Sequence, residues 1–381
     1  MKSNDTILII TRNLPPLVGG MERLNWHIAD ELSKDHQIIV ISHSQAKFEA
    51  TPQTSFYGVR LNPLPLFLLL TFITTFWVCL RQRPDILFAG SGLTAPIAVF
   101  WAKIFRKKSI VYIHGLDIGT DHLFYNWLWI PFIRSSDQII ANSSPTYDIC
   151  ISKGICIRKL SIIHPGVSYP PKPKNDQLIQ QLINQYQLQG KQVLISVGRL
   201  TQRKGLNEFI DLSLSKVIDK ISNTILVVIG DTPNQSLNKN LQSKELIIAT
   251  AKKLGIEKNI IFTGNISDDD ILTSFYYLAD VHIFPVKHIP EDPEGFGMVA
   301  IEAAAHGTPT VAFATGGIVD AVQHGKTGYL IENQDYQKIT NSIIEILENK
   351  ASISEQTCMQ YAEKFAWYHL KSKFEKVIVS L

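Results

Sequence analysis

At 381 residues, 45% of them hydrophobic and 19% charged, the chain is longer than one hydrophobic core usually supports, which points to a globular protein of two domains and away from disordered or fibrous classes. A net charge of +3 suits anionic small ligands or an anionic membrane surface, but no stretch interleaves a dense Lys/Arg run with aromatics, and nucleic acid is not an expected partner. The four cysteines, Cys79, Cys150, Cys156 and Cys358, fit neither a zinc spacing nor a Cys-x-x-Cys pair and read as reduced thiols.

The polar start from Met1 to Thr6 leads into Ile7 to Ile10, too brief for a signal peptide's apolar core and without its cleavage pattern, so a cytoplasmic location is expected. Thr6 to Thr11 and Gln37 to Ser42 read as strands, with a helical pattern from Met21 to Leu32 between them. At the first strand–helix junction stands Pro15-Pro16-Leu17-Val18-Gly19-Gly20-Met21-Glu22-Arg23. Its paired glycines let a phosphate approach the helix N-terminus, although a plain tight turn has the same composition. It is not the Gly-x-Gly-x-x-Gly fingerprint.

Leu64 to Leu80 is an uncharged run of seventeen residues bounded by Arg81 and Arg83, at the lower limit for a spanning helix. Wound as a helix it has two faces, Thr71, Thr74, Thr75 and Val78 on one, and Leu66, Leu69, Leu70, Ile73 and Trp77 on the other. A helix buried in, or lying on, something apolar is the expectation.

Apolar runs at Asp85 to Ala89, Ser109 to Ile113 and Gln138 to Ala141 alternate with helical stretches, Thr94 to Phe105 among them. Such strands belong in a doubly wound parallel sheet, whose ligands gather at the strands' carboxyl ends. His114-Gly115-Leu116-Asp117 stands at such an end, with a structural and a functional role both open to the histidine. The run His-Pro-Gly-Val-Ser-Tyr-Pro-Pro-Lys-Pro-Lys, closing at Lys174, cannot continue helix or central strand and marks the boundary between residues 1–165 and 166–362.

The alternation then restarts: Val193 to Val197, a helix after Gly205, Thr224 to Ile229, a helix around Lys244 to Leu254, Asn259 to Thr263, a helix from Asp268 to Leu278, Val281 to Pro285, and Thr310 to Phe313. Helical patterns over Asp335 to Glu348 and Glu355 to Val379 end the chain. Two such halves place their ligand in the cleft between them.

The loop Gly198-Arg199-Leu200-Thr201-Gln202-Arg203-Lys204-Gly205 concentrates cations between glycines and suits a diphosphate; its alternative is a solvated basic turn. Arg199 and Lys204 are preferred over Arg203, which has no glycine neighbour. Asp268-Asp269-Asp270 has the form of an Asp-x-Asp metal motif but reads better as a helix cap, and no metal is expected. Glu294 to His306 reads as a glycine-rich loop entering an Ala-rich helix, with free N–H groups facing the loop and Glu302 one turn deeper as a hydroxyl acceptor; its alternative is an Ala-rich core helix with a solvated first-turn glutamate. Thr315-Gly316-Gly317 offers further backbone N–H groups or is a tight turn.

Jointly, Gly19-Gly20, His114-Gly115, Gly198-Arg199 to Lys204-Gly205, and Glu294 to Glu302 with seven residues between resemble glycosyltransferase family 4, retaining transferases of GT-B fold, over nearly the whole chain. The resemblance implies an α/β architecture of two doubly wound Rossmann-like domains facing a cleft. A helix over about 363–381, carrying Phe365-Ala366-Trp367, would pack back on the first domain. It assigns catalytic roles to His114, Glu294, Arg199 and Lys204. Arg199 and Lys204, with Gly198, would meet the donor diphosphate, and Glu302 the ribose. Glu294 and the backbone of Gly295, Phe296, Gly297, Met298 and Val299 would hold the sugar and phosphate, and Ile266 would line the base pocket. Gly19 and Gly20 would close from the first domain, and His114 would sit against the reacting sugar during front-face displacement. Asp320 departs from the glutamate many relatives carry there.

The Glu294 to Glu302 region, with Glu291-Asp292-Pro293 before it, looks closest to mannosyltransferases acting on phosphatidylinositol and related acceptors. That implies GDP-mannose as donor, a UDP-sugar second, and a glycan or lipid-linked acceptor in cell-envelope glycan biosynthesis. No cofactor is implied, and the protein would be peripheral on the inner face of the membrane. A sugar-nucleotide epimerase and a non-catalytic sugar-nucleotide or membrane-binding scaffold are the rival expectations.

Overall fold

The computed structural model describes residues 5–46, 54–119, 123–232, 242–289 and 292–381; Glu291 lies outside them. The chain divides into two compact units, one of Met1–Gly166, Pro290–Phe296 and Trp367–Leu381, the other of Val167–Ile289 and Gly297–Ala366.

In the first unit the strands are β1 (Thr6–Ile10), β2 (Gln37–His43), β3 (Thr54–Val59), β4 (Ile86–Ala89), β5 (Lys108–Ile113), β6 (Gln138–Ala141) and β7 (Leu160–Ile162). They form one parallel sheet in the order β3-β2-β1-β4-β5-β6-β7. Every residue of β4 and β6 is buried, as strands sandwiched between helices require. Between strands run α1 (Gly20–Ser33), α2 (Leu64–Gln82), α3 (Ala95–Ile104), α4 (Leu116–Gly119), α5 (Leu123–Arg134) and α6 (Ser144–Ser152). Leu87, Val111 and Ile113 share a core with residues of α2, α3 and α5. Their alternating neighbours Phe88 and Tyr112 meet Phe374, from the C-terminal segment, on the opposite face.

Helix α2 inverts the usual burial. Thr71 and Thr75 are wholly buried beside Phe67, Val78 and Cys79, while Leu69, Ile73, Trp77 and Leu80 are 45–56% exposed. The Thr75 hydroxyl can sit in the core because it donates to the Thr71 carbonyl at 2.7 Å. Phe72 and Phe76 pack on Trp101 of α3, whose Nε1 donates to the Phe72 carbonyl at 3.0 Å. By length and composition α2 is able to cross a membrane, but one side of it is core.

The second unit carries β8 (Gln192–Val197), β9 (Thr224–Ile229), β10 (Ile260–Gly264), β11 (Val281–Phe284), β12 (Thr310–Phe313) and β13 (Gly328–Ile331), parallel in the order β10-β9-β8-β11-β12-β13. Its helices are α7 (Asp176–Tyr186), α8 (Leu206–Phe209), α9 (Ser215–Lys220), α10 (Lys244–Lys253), α11 (Asp269–Leu278), α12 (Met298–Ala305), α13 (Ile318–Ala321), α14 (Tyr336–Leu347) and α15 (Glu355–Glu363).

The single helix expected over Glu355 to Val379 is interrupted. After α15 the backbone leaves the helix: the Val167 N–H donates to the Phe365 carbonyl at 2.8 Å and Ala366 bridges Val167. In the first unit the Trp367 ring fills the space above Gly166, where a Cβ would lie 2.2 Å from it. There α16 (Leu370–Val379) packs on α1, with Lys371 paired to Asp35 and His36 Nε2 2.8 Å from Glu375 Oε1.

Candidate active site

In the second unit the site grows from the carboxyl end of β8. Gly198 turns out of the strand at φ 140°, its N–H donating to the Ile229 carbonyl at 2.9 Å. Gly230 at the end of β9 presses on it so closely that a Cβ there would lie 2.0 Å from the Gly198 oxygen. A 3₁₀ turn at Gln202–Lys204 follows, closed by Gly205 at φ 65°. A Cβ on Gly205 would stand 2.2 Å from the Pro285 oxygen, and the Lys287 N–H holds the Arg203 carbonyl at 2.9 Å. The cationic loop is therefore clamped at both glycines onto the ends of β9 and β11. Gly198, Arg199 and Lys204 line a depression with Val197, Phe284 and Pro285.

Phe284 is the hub beneath. The Lys204 ammonium stands 4.5 Å from its ring centroid, and a Cβ on Gly297 would stand 2.8 Å from its edge. Gly297, at φ 83°, caps α12, so the helix can begin against the ring only with glycine there. His282 stacks on Phe284 at 5.5 Å; burial, then the charge of Lys204, pushes its pKa down to about 3.

One turn into α12, Glu302 is 6% exposed and accepts from the Tyr276 hydroxyl at 3.0 Å. Tyr276 is itself stacked on His306. The hydroxyl acceptor expected at Glu302 thus already holds one protein hydroxyl, and a carboxylate has lone pairs for more. Met298 is buried and Val299 partly exposed. Ile266, half-buried after β10, packs on the cluster of Val227, Ile229 and Phe275, two strands along from β8. Asp268 accepts from the Asp270 and Ile271 N–H groups at 2.8 and 3.3 Å, which makes the Asp-x-Asp run a helix cap. Thr315 donates to the Val286 carbonyl at 2.8 Å, and Gly317 caps α13. Asp320 is half-buried, its carbonyl accepting from the Tyr361 hydroxyl at 2.8 Å.

In the first unit Gly19 caps α1 and Gly20 opens it. The Glu22 carboxylate folds back so that a Cβ on Gly19 would lie 2.4 Å from Oε2, while Oε1 accepts from Asn13 Nδ2 at 2.7 Å.

His114 follows directly on β5, with its ring 4.9 Å from Tyr112 and Nε2 2.8 Å from the Gly90 carbonyl oxygen. Its own carbonyl accepts from Asn142 Nδ2 at 3.3 Å. Gly295 lies on both groups, since a Cβ there would come within 2.6 Å of the His114 oxygen and 2.7 Å of Asn142 Nδ2. Phe296, 3% exposed, stacks on His164 at 5.2 Å, and Glu294 beside them is half-buried. So His114, Glu294, Gly295 and Phe296 gather in the first unit, while Gly198, Arg199, Lys204, Gly297, Met298, Val299 and Glu302 belong to the second. Sequence reasoning gave no role to Phe284, Tyr276 or Asn142; only the alternation His282-x-Phe284 on a buried strand hinted at the first.

The family model for glycosyl transferases group 1 matches residues 179–365, and that for Glycosyltransferase Family 4 matches residues 18–169. The GDP-mannose-dependent alpha-(1-6)-phosphatidylinositol monomannoside mannosyltransferase of Mycolicibacterium smegmatis is 25% identical over 358 residues, 90% of this chain and 89% of its own. Mannosylfructose-phosphate synthase of Agrobacterium fabrum is 32% identical over 200 residues, 51% of this chain and 41% of its own. The crystal structure of Anabaena HepE in complex with UDP superposes with a TM-score of 0.80 at 18% identity, covering 99% of this chain and 100% of that one. Sucrose-phosphate synthase of Thermosynechococcus elongatus superposes with a TM-score of 0.79 at 18% identity over 98% of each chain. Two parallel α/β sheets, a cationic loop at the end of β8, and family matches that together run from residue 18 to 365 lead to one assignment: the chain belongs to glycosyltransferase family 4, is a glycosyltransferase, and has the GT-B fold.

Proposed function

We propose that the chain moves a hexose, with retention of anomeric configuration, from a nucleoside diphosphate sugar to a lipid-linked or glycan acceptor of the cell envelope. GDP-mannose is the first donor, as in the name of the mycobacterial relative, and a UDP-sugar the second, as in the HepE complexes. The observation that carries the reading is the Gly198–Gly205 loop, which presents Arg199 and Lys204 beside Phe284 at the carboxyl end of a parallel sheet.

In this reading Arg199 and Lys204 neutralise the diphosphate as it leaves, with the N–H groups at the start of α12 adding to them, so the reaction proceeds without a metal. Glu302 accepts from the ribose hydroxyls and Glu294 from those of the sugar. The acceptor oxygen bonds to the anomeric carbon on the face from which the diphosphate departs, and its proton passes to the departing phosphate oxygen. His114 contacts the reacting sugar and forms no covalent bond.

The exposed side of α2 supports a peripheral seat on the inner face of a membrane: Leu69, Ile73, Trp77 and Leu80 lie outward on a helix without charge before Arg81. Family membership sets aside the epimerase and scaffold expectations. The test incubates the purified chain with GDP-mannose, UDP-glucose or UDP-N-acetylglucosamine and vesicles containing phosphatidylinositol. Release of nucleoside diphosphate only when acceptor is added, with an α-linked product by NMR, is expected; release indifferent to acceptor, or no donor that raises the melting temperature, overturns the proposal.

A further inference from the structure

Asp117 is absent from every role assigned so far, yet its carboxylate joins two loops at the carboxyl edge of the first sheet. Oδ1 accepts from the His114 backbone N–H at 2.8 Å, and Oδ2 accepts from the Gly92 backbone N–H at 2.7 Å. Gly92 opens the 3₁₀ turn Gly92–Thr94 after β4, and β4 is the neighbour of β5 in the sheet. The His114 ring reaches across the same gap to the Gly90 carbonyl at 2.8 Å. Because a carbonyl only accepts, Nε2 carries the proton of that bond, and in the neutral ring Nδ1 is an acceptor.

The surroundings leave the carboxylate little freedom. A Cβ on Gly92 would lie 2.9 Å from both the Asp117 Cβ and the Tyr125 hydroxyl, and that hydroxyl donates to the Asp117 carbonyl at 2.7 Å. Gly115, at φ 100°, makes the turn that brings Asp117 back under His114.

We propose that Asp117 is the positioning residue of His114, locking the two loops together so that Nε2 stays on Gly90 and Nδ1 is the nitrogen turned to substrate. The proposal rests on the role given to His114 above. Asp117→Asn keeps the size but replaces one acceptor oxygen with an N–H₂ group that faces an N–H donor, so one of the two loops is released.

The test is a double-mutant cycle with an independent spectroscopic readout. Asp117→Asn should lower kcat about ten- to a hundredfold with the KM for sugar nucleotide within about twofold. Added to His114→Ala it should lower kcat no further, because both changes remove one function. A merely structural role predicts losses that multiply, and that result overturns the proposal. In ¹⁵N-histidine NMR, wild-type His114 should show the Nε2–H tautomer and Asp117→Asn a mixed one; an unchanged tautomer also overturns it. The spectra need no turnover, so failure of the transferase reading, seen as no transfer by wild type, is separable from failure of this one. Should Asp117→Asn not fold, Tyr125→Phe releases the Asp117 main chain while keeping the carboxylate. It should lower kcat in the same direction by a smaller factor, and an unchanged kcat counts against the proposal.

Discussion

Lys204 holds its ammonium 4.5 Å from the centre of the Phe284 ring, with a neutral His282 stacked beneath that ring at 5.5 Å. An aromatic platform positions the cation at the mouth of the depression where Gly198 and Arg199 also lie. Lys204→Ala and Arg199→Ala should each weaken GDP and UDP binding about ten- to a hundredfold by calorimetry. Phe284→Leu should cost less, about 0.5–2 kcal/mol, as expected for loss of a cation–π contact. In the Lys204→Ala background that second loss should vanish; its persistence would mean that the ring acts otherwise.

Glu302 and Tyr276 separate stability from binding. Glu302→Ala leaves a buried tyrosine hydroxyl without its acceptor and should destabilise the fold by about 1–3 kcal/mol. Glu302→Gln retains an acceptor for Tyr276 and should melt within a few degrees of wild type, while the KM for sugar nucleotide rises about tenfold. Equal melting losses for both variants would contradict the bond as described.

Two left-handed glycines, one in the cationic loop and one outside it, differ in what a Cβ would meet. Gly205 and Gly190 share a left-handed backbone, at φ 65° and 69°, but only Gly205 has a carbonyl in the way of a Cβ; around Gly190 nothing lies within 4 Å. Gly190→Ala should cost about 1 kcal/mol for the backbone alone. Gly205→Ala should cost clearly more and weaken nucleotide binding, since Pro285 must move. Denaturant titration of the two variants side by side decides it.

Acid should destabilise the fold through two histidines, His282, which is buried, and His27, which is half-buried. Burial with the charges of Arg23 and Lys34 pushes His27 down to about 3, and burial with Lys204 does the same to His282. Between about pH 6.5 and 3 the unfolded chain binds protons that the folded one refuses. The stability these neutral rings allow is complete above about 6.5. It falls by about 1 kcal/mol per pH unit for each histidine below that. His282→Gln should flatten the fall in melting temperature on acidification; a slope equal to wild type's would remove His282 as a cause.

On α2, Ile73→Glu and Trp77→Glu should abolish sedimentation with anionic vesicles without lowering the melting temperature, because both side chains are about half exposed. Charge reversal at Arg106, Lys107 and Lys108 should weaken it in a salt-dependent way. No association by wild type would refute the membrane seat.

The doubly wound architecture was legible because β1, β2, β4 to β6, β8, β9, β11 and β12 are apolar almost throughout, as two-faced burial demands. Strands β3 and β7 carry no such signal: β3, TSFYGV, is a half-exposed edge, and β7 has three residues. The break at Ala366 was hidden because Phe-Ala-Trp continues a helical pattern, and only the pairing with Val167 diverts it. Periodicity separated the two faces of α2 but not their destinations, since threonine can enter a core once its hydroxyl bonds the turn before. In the candidate site, Arg199, Lys204, Glu294 and Glu302 could be singled out from the chain alone because charged residues beside glycines stand out by type. Phe284 contacts Lys204 and Tyr276 holds Glu302 only after strands and helices are brought side by side, and Asp117 ties His114 to the loop after the neighbouring strand.

The outward stripe of α2 also bears on how the purified protein behaves. In lipid-free buffer its half-exposed leucine, isoleucine and tryptophan side chains would, on the proposed membrane seat, find their apolar cover in a second molecule. On the proposed membrane seat, self-association should grow with concentration and disperse in mild detergent, and a gel-filtration stoichiometry would then report the solvent more than a designed assembly.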